Sequence, residues 1–252
     1  MSVENLVPAP RAASTGREPA VPDTPLGELR ALIRAGAVGD GLRVRRLLER
    51  LTDALDLEAA GALLAGARAR AQLHAGGGFT ATRVALLGSS TLDSVPALLT
   101  AAAVRNGILP EIRLAGFNQW QLEVVSGAPG LADLRPRVVA CLLDDSVVFA
   151  GIADPVDADQ VAAGCAAFPA ELSAWLSTCR SAVGGLVVLT TIPLTPLRRH
   201  SVISYSARAR IETAWLRMNA EIAELAAAEP ATVVLSGSDL ADRAGATFAS
   251  DR

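Results

Sequence analysis

The sequence has 252 residues, of which 51% are hydrophobic, 19% charged and 4% aromatic, with a formal net charge of −3. A chain of this length and composition buries enough apolar surface to fold without disulfide or metal staples, which excludes collagen-like, disulfide-scaffold and wholly disordered proteins. All 23 basic residues are arginines spread along the chain, which gives no support for nucleic-acid binding. The longest uncharged stretch, residues 181–197, is broken by glycine and proline and is shorter than the about 20 apolar residues of a membrane helix.

The amino terminus is predicted to be a disordered leader. Residues 1–25 contain five prolines and scattered acidic residues but no continuous apolar segment. A signal peptide or transit peptide needs a different pattern, so we expect a cytoplasmic protein.

A small helical appendage is predicted over residues 26–75. Leucines recur there at spacings of three and four residues, beginning with Leu26, Leu29 and Leu32, as on the buried face of helices. Three consecutive glycines, residues 76–78, end this pattern, because glycine is costly inside a helix and packs no side chain. We expect an α/β domain to follow over residues 79–252.

Five short apolar runs in that second region predict buried strands. They cover residues 83–88, 111–116, 137–143, 185–191 and 231–237. Helical patterns separate them, over residues 92–104, 119–126, 156–181 and 206–228. Continuous apolar strands joined by helices predict an open parallel five-stranded sheet covered on both faces, in a flavodoxin-like three-layer sandwich.

Disulfides and closed zinc sites are not expected. The three cysteines, Cys141, Cys165 and Cys179, form no C-x-x-C pair, and their odd number is typical of small buried apolar residues. The two histidines, His74 and His200, lie in unrelated contexts and are too few for a zinc ligand set.

Candidate site residues follow the first three strands. In an open parallel sheet, ligands bind beyond the carboxyl ends of the strands, so these residues are expected to share one crevice. The candidates are Ser89, Ser90 and Thr91 after the first strand, Gly116, Asn118 and Gln119 after the second, and Asp144 and Asp145 after the third.

Ser90 is the candidate nucleophile, because a hydroxyl at a strand-to-helix turn lies beside free amide donors that can hold an oxyanion. The alternative is that the Ser-Ser-Thr segment caps the following helix. Asp144 and Asp145 likewise either form an acid–base pair or cap the next turn. Phe117 and Trp120 either line an acyl pocket or pack in the core.

Nucleotide binding is not supported, because the sequence contains neither G-x-x-x-x-G-K-[ST] nor G-x-G-x-x-G. A group of four arginines has two interpretations. It either contacts a phosphate or an acidic carrier protein, or it forms a solvated helix face. The group is Arg198, Arg199, Arg208 and Arg210.

The segment Gly88-Ser89-Ser90 resembles the G-D-S turn of the SGNH hydrolases. In that fold the last serine is the nucleophile, and Gly116 matches the glycine that donates to the oxyanion. The third block expects asparagine, where this sequence has Asp144-Asp145. The D-x-x-H base has no match, since Asp251 is followed only by Arg252. The alternative base is His200, which is expected in a loop after the fourth strand.

A broader resemblance covers nearly the whole chain. The segments that carry this resemblance are the helical appendage, "LLGSSTLDSVPALLTAAAVRNGILPEIRLAGFNQWQLEVV", "PGLADLRPRVV" and "DLADRAG". They resemble the amino-terminal SGNH-like half of the FkbH-like proteins, which belong to the haloacid dehalogenase (HAD) superfamily, subfamily IIIC. That family takes a phosphoglyceryl unit, removes the phosphate and loads glycerate onto an acyl carrier protein for polyketide biosynthesis. The resemblance implies these two partners, and it implies neither a membrane nor a nucleic acid.

In that family the catalytic D-x-D-x-[TV] motif belongs to the separate HAD domain. The one match to the pattern in this sequence, residues 157–161, falls at the start of the helix predicted over residues 156–181. The resemblance therefore assigns magnesium to the HAD domain and no cofactor to this chain, which is then either a fragment or a stand-alone relative. Three hypotheses remain: the amino-terminal part of a glyceryl transferase/phosphatase without a complete active site of its own, a hydrolase or acyltransferase that uses Ser90 with Gly116 and Asn118 as oxyanion donors, and a carrier-binding module.

Overall fold

The computed structural model describes residues 24–125 and 133–237. The predicted leader, residues 1–25, falls almost wholly outside these ranges, as does Asp251. None of the helices within them combines the length and the hydrophobicity needed to cross a lipid bilayer.

Four helices precede the sheet. They are α1 (Pro25–Ala35), α2 (Gly41–Glu49), α3 (Ala54–Ala65) and α4 (Ala67–Gly76). The first begins where the sequence favours a start, because the Thr24 hydroxyl accepts a hydrogen bond from the amide of Gly27 and Pro25 occupies the first turn. It ends at Gly36, whose φ of 70° suits a residue without a Cβ atom.

The central sheet has five parallel strands in the order β2-β1-β3-β4-β5. Their ranges are β1 (Thr80–Gly88), β2 (Ile108–Leu114), β3 (Val138–Leu142), β4 (Leu186–Thr190) and β5 (Thr232–Leu235). This strand order is flavodoxin-like, so the predicted fold class is confirmed.

Helices cover both faces of the sheet. They are α5 (Val95–Arg105), α6 (Leu122–Val125), α7 (Ser146–Phe149), α8 (Ala158–Val183), α9 (Pro196–Ser201) and α10 (Tyr205–Ala228). The crossovers run in opposite directions from β1, which places α5 on one face and α8 and α10 on the other. His200, expected in a loop, lies instead in α9. The N-cap of this helix is Thr195, whose hydroxyl accepts a hydrogen bond from the amide of Arg198.

Two hydrophobic clusters stabilise the two sides. The larger cluster fills the space between the sheet and helices α8 and α10. The smaller one joins α1–α4 to Ala101 and Val104 of α5 and to Leu109 of β2. Since the four helices share a core with the sheet domain, their separation at residues 76–78 stays a prediction.

The three cysteines are buried and free, as the sequence predicted. Burial raises the pKa of the Cys165 and Cys179 thiols to about 11 and raises that of Cys141 as well. Because a protonated thiol is a poor nucleophile, these residues act in the fold as small apolar side chains.

Candidate functional site

The sequence candidates lie at the carboxyl edge of the sheet, around the point where the strand order reverses. The chain leaves β1 toward β2 on one side, and from β3 it proceeds to β4 and β5 on the other. The connections that follow β1 and β3 therefore run to opposite sides of the sheet, and ligands of such sheets usually bind at this reversal.

Ser89 joins the segment that follows β1 to the segment that follows β3. Its hydroxyl donates to Asp144 Oδ1 at 3.0 Å and accepts from the amide of Asp144 at 2.9 Å. Ser89 is only 3% exposed, whereas Asp144 is half-buried, so both bonds are partly shielded from water. Ser89 therefore has a structural role in this fold, holding two neighbouring loops together.

The two adjacent carboxylates, Asp144 and Asp145, point to different partners. Asp144 Oδ1 also accepts from the amide and the hydroxyl of Ser146, which forms the turn into α7. Asp145 is 7% exposed, and its Oδ2 accepts from the amide of Thr195 at 2.9 Å, which fixes the loop before α9. The capping interpretation is thus correct for Asp144, and the two carboxylates do not form an acid–base pair.

Ser90 is placed differently from its neighbour. It is half-buried and lines a pocket of about 200 Å³ between the ends of β1 and β2. The full lining comprises Gly88, Ser90, Thr91, Leu92, Asp93, Leu114, Ala115, Gly116 and Phe117. Helix α5 begins only at Val95, after Ser94, so the prediction that the Ser-Ser-Thr segment caps this helix is wrong.

The second loop forms a tight turn beside this pocket. The amide of Gln119 donates to the carbonyl of Gly116 at 3.1 Å, and Asn118 has a φ of 52°. Asparagine tolerates this left-handed conformation, which explains its occurrence here. Phe117 is 70% exposed and lines the pocket, whereas Trp120 is buried and its carbonyl accepts from Trp175 Nε1 at 3.1 Å.

The expected convergence in one crevice is thus partial. Ser90, Thr91 and Gly116 share the pocket, together with Phe117. The remaining candidates lie outside its lining: Ser89, Asn118, Gln119, Asp144 and Asp145.

In residues 24–125 and 133–237 no general base is hydrogen-bonded to Ser90, although Asp93 lines the same pocket. Its hydroxyl has no hydrogen-bond partner among them, and His200 is exposed on α9 with no hydrogen bond to a carboxylate. These ranges also contain no group of three or more histidine, cysteine or acidic side chains able to hold a metal ion. Activation of a serine hydroxyl needs a base within hydrogen-bond reach, which these residues do not supply.

Asn219 is a supporting residue that sequence reasoning missed. Its side chain accepts from the amide of Ile192 at 2.7 Å and donates to the carbonyl of Ile192 at 2.8 Å. Trp215 Nε1 donates to the same carbonyl at 2.7 Å. A polar residue four positions after a buried tryptophan on one helix face was the available signal, and together the two side chains satisfy the backbone just after β4.

Alanine substitution at the two adjacent serines, Ser89 and Ser90, tests the structural role assigned to Ser89. Ser89→Ala leaves the partly buried amide of Asp144 without its acceptor, so we expect a loss of about 1–2 kcal/mol in the free energy of unfolding. Ser90→Ala, the matched control, removes a hydroxyl without a partner in the described chain and should change stability by less than about 0.5 kcal/mol. Chemical denaturation of both variants measures the difference, and equal losses would contradict the assignment.

Comparisons with known proteins bear on the fold. No family model matches the sequence, and no curated protein does. Among solved structures, the chain is similar to the crystal structure of the N-terminal part of protein BF1531 from Bacteroides fragilis, which contains a phosphatase domain and is complexed with Mg. The TM-score is 0.54 at 13% sequence identity, over 68% of this chain and 44% of the other. The chain thus spans less than half of that neighbour, and the likeness establishes a shared α/β fold.

Proposed function

We propose that this chain is the amino-terminal, SGNH-like part of an FkbH-like system that forms glyceryl-acyl carrier protein from a phosphoglyceryl donor. In this proposal the described residues bind the glyceryl-loaded carrier and do not themselves perform covalent chemistry. Phosphate removal and its magnesium ion belong to a separate phosphatase-like domain. The one D-x-D-x-[TV] match in this sequence, residues 157–161, begins helix α8, where the Asp157 side chain accepts from the amides of Asp159 and Gln160 and Asp159 pairs with Arg210.

The observation that carries the proposal is a hydroxyl-lined pocket whose serine forms no hydrogen bond to a base among the described residues. Ser90 and Thr91 supply hydroxyl groups at its wall, and Gly116 lines the pocket beside them. Such groups suit the hydroxyls of a glyceryl unit, since a few placed polar groups orient a ligand in a small pocket.

The charge of the pocket favours a dephosphorylated ligand. Asp93 is the one ionisable residue among the lining residues given above, and no arginine lines the pocket. A phosphate here would face a carboxylate without a compensating cation, which is unfavourable. An uncharged glyceryl group on the carrier avoids that repulsion.

The resemblance of the SGNH segments and the shared fold with a structure that contains a phosphatase domain support the same proposal. Both similarities concern the fold and not the ligand. The ligand assignment depends on the pocket.

Binding to a carrier protein tests the proposal. The 252-residue protein is titrated by fluorescence anisotropy with a labelled acyl carrier protein from the same gene cluster, either unloaded or loaded with a glyceryl group. We expect saturable binding, with the loaded form bound about tenfold more tightly because only that form fills the pocket. Phe117→Ala should reduce this preference, whereas Leu216→Ala, at a similarly exposed position on α10, should leave it unchanged.

A fluorophosphonate probe separates this proposal from the hydrolase hypothesis. We expect no labelling of the folded protein, because Ser90 lacks an activating base in the described residues. Labelling of the wild type but not of Ser90→Ala would replace the proposal with a serine hydrolase. Equal affinity for loaded and unloaded carriers would refute the glyceryl-binding role.

A further inference from the structure

The junction between α9 and α10 exposes an unusual amount of apolar surface. Three large side chains lie there within nine positions: Leu197 is 79% exposed, Ile203 is 90% exposed and Tyr205 is 83% exposed. These are the three highest values for large hydrophobic side chains in residues 24–125 and 133–237. A cluster of this kind is typical of an interaction surface, whereas single exposed apolar residues are ordinary.

The same junction is basic in a protein that is acidic overall. Residues 193–211 contain four arginines and neither aspartate nor glutamate, while the whole chain has a net charge of −3. Arg199 and Arg210 form ion pairs with Glu212 and Asp159 respectively. Those two charges are therefore largely compensated within the molecule.

Arg198 and Arg208 remain without a carboxylate partner in the described chain. The guanidinium group of Arg198 lies over the ring of Phe149, with its central carbon 4.6 Å from the ring centroid. That of Arg208 lies 5.4 Å from the ring centroid of Tyr205 and donates to the carbonyl of Val202. Aromatic rings orient these two cations without neutralising them, so their charge is available to an acidic partner.

We propose that the α9–α10 surface, formed by Leu197, Ile203, Tyr205, Arg198 and Arg208, is the docking site of the acyl carrier protein. An acidic protein surface that also carries apolar side chains complements this combination of exposed apolar groups and uncompensated guanidinium groups. The inference rests on the proposed function for the identity of the partner. The location of the surface is argued from the exposure and the charges alone.

The position of the surface suits delivery of a tethered group to the pocket. Helix α9 follows β4, and its first turn is fixed to the end of β3 by the hydrogen bond from Thr195 to Asp145. Strand β4 is two positions from β1 in the sheet, a separation of about 10 Å at the usual strand spacing. A carrier seated on this surface therefore lies along the same carboxyl edge as Ser90.

Carrier affinity in two surface variants tests the docking site. Ile203→Ser and Arg198→Gln are titrated with the unloaded holo carrier, which reports docking without the glyceryl contribution. We expect Ile203→Ser to weaken binding about tenfold and Arg198→Gln about fivefold, and binding to the wild type to weaken as salt is raised. Leu216→Ser and Arg217→Gln are the matched controls, more than ten residues along α10 from Tyr205, and both should bind like the wild type.

The outcomes distinguish this inference from the proposed function. If the carrier binds the wild type and both surface variants equally, the docking site is wrong while carrier binding stands. If the carrier does not bind the wild type at all, both proposals fall. Sedimentation of the same proteins without carrier addresses self-association: a dimer of the wild type that Ile203→Ser dissociates would assign the surface to a second copy of this chain and overturn the inference.

Discussion

Replacement of Gly61 by alanine is expected to destabilise the protein by about 3 kcal/mol or more, because the helices α3 and α5 touch through this residue. A Cβ atom at Gly61 would lie 1.8 Å from the carbonyl oxygen of Ala97 and 3.2 Å from the amide nitrogen of Ala101. Both neighbours are backbone atoms, so no side-chain rotation relieves the overlap. The two helices would have to separate and disturb the core that joins α1–α4 to the sheet.

Gly151→Ala is the matched control for this substitution. A Cβ atom at Gly151 meets no other atom within 4 Å, so its stability should remain within about 0.5 kcal/mol of the wild type. Guanidinium denaturation of both variants gives the comparison. A loss below about 1 kcal/mol for Gly61→Ala would show that α3 is not packed on α5 as described.

Trp215→Ala is expected to cost about 3–5 kcal/mol of stability. The indole is 3% exposed and stacks on Phe149 with ring centroids 5.7 Å apart, beneath the guanidinium group of Arg198. Its Nε1 also donates to the carbonyl of Ile192 just after β4. The substitution therefore removes both packing volume and a buried hydrogen bond.

Trp215→Phe separates these two contributions. The phenyl ring retains most of the apolar contact, and the carbonyl of Ile192 still accepts from Asn219, so the loss should be about 1 kcal/mol. Thermal or urea unfolding of the two variants measures which of them loses more stability. If Trp215→Phe were as damaging as Trp215→Ala, the indole hydrogen bond rather than the packing would dominate.

Much of the fold is predictable because its signals are local. The five apolar runs became the five strands, since a strand covered on both faces needs an uninterrupted apolar sequence. The strand ends were less predictable: β1 extends back to Thr80, where it pairs with Ile108 of β2. That extension depends on hydrogen bonds to a distant segment and leaves no hydropathy pattern.

Short helices also escaped prediction. Helices α7 and α9 have 4 and 6 residues, too few to produce a recognisable periodicity. His200 was consequently assigned to a loop, although it lies in α9.

The candidate site was likewise predictable only in part. The strand-end rule correctly brought Ser90, Thr91 and Gly116 to one pocket, since their positions follow from strand order alone. It did not distinguish Ser89 from Ser90, two adjacent residues with the same side chain. Ser89 is hydrogen-bonded to Asp144, 55 positions further along the chain, whereas Ser90 lines the pocket.

The sequence by itself determined the class of the fold, the number of strands and the edge of the sheet at which the Ser90 pocket lies, because these depend on apolar periodicity and on helix and strand signals within short windows. Only the tertiary structure decided which hydroxyl is buried, that Asp144 and Asp145 serve different loops, and that Leu197, Ile203 and Tyr205 are exposed. Pairing and exposure of this kind arise from contacts between segments far apart in the chain, which no local pattern encodes.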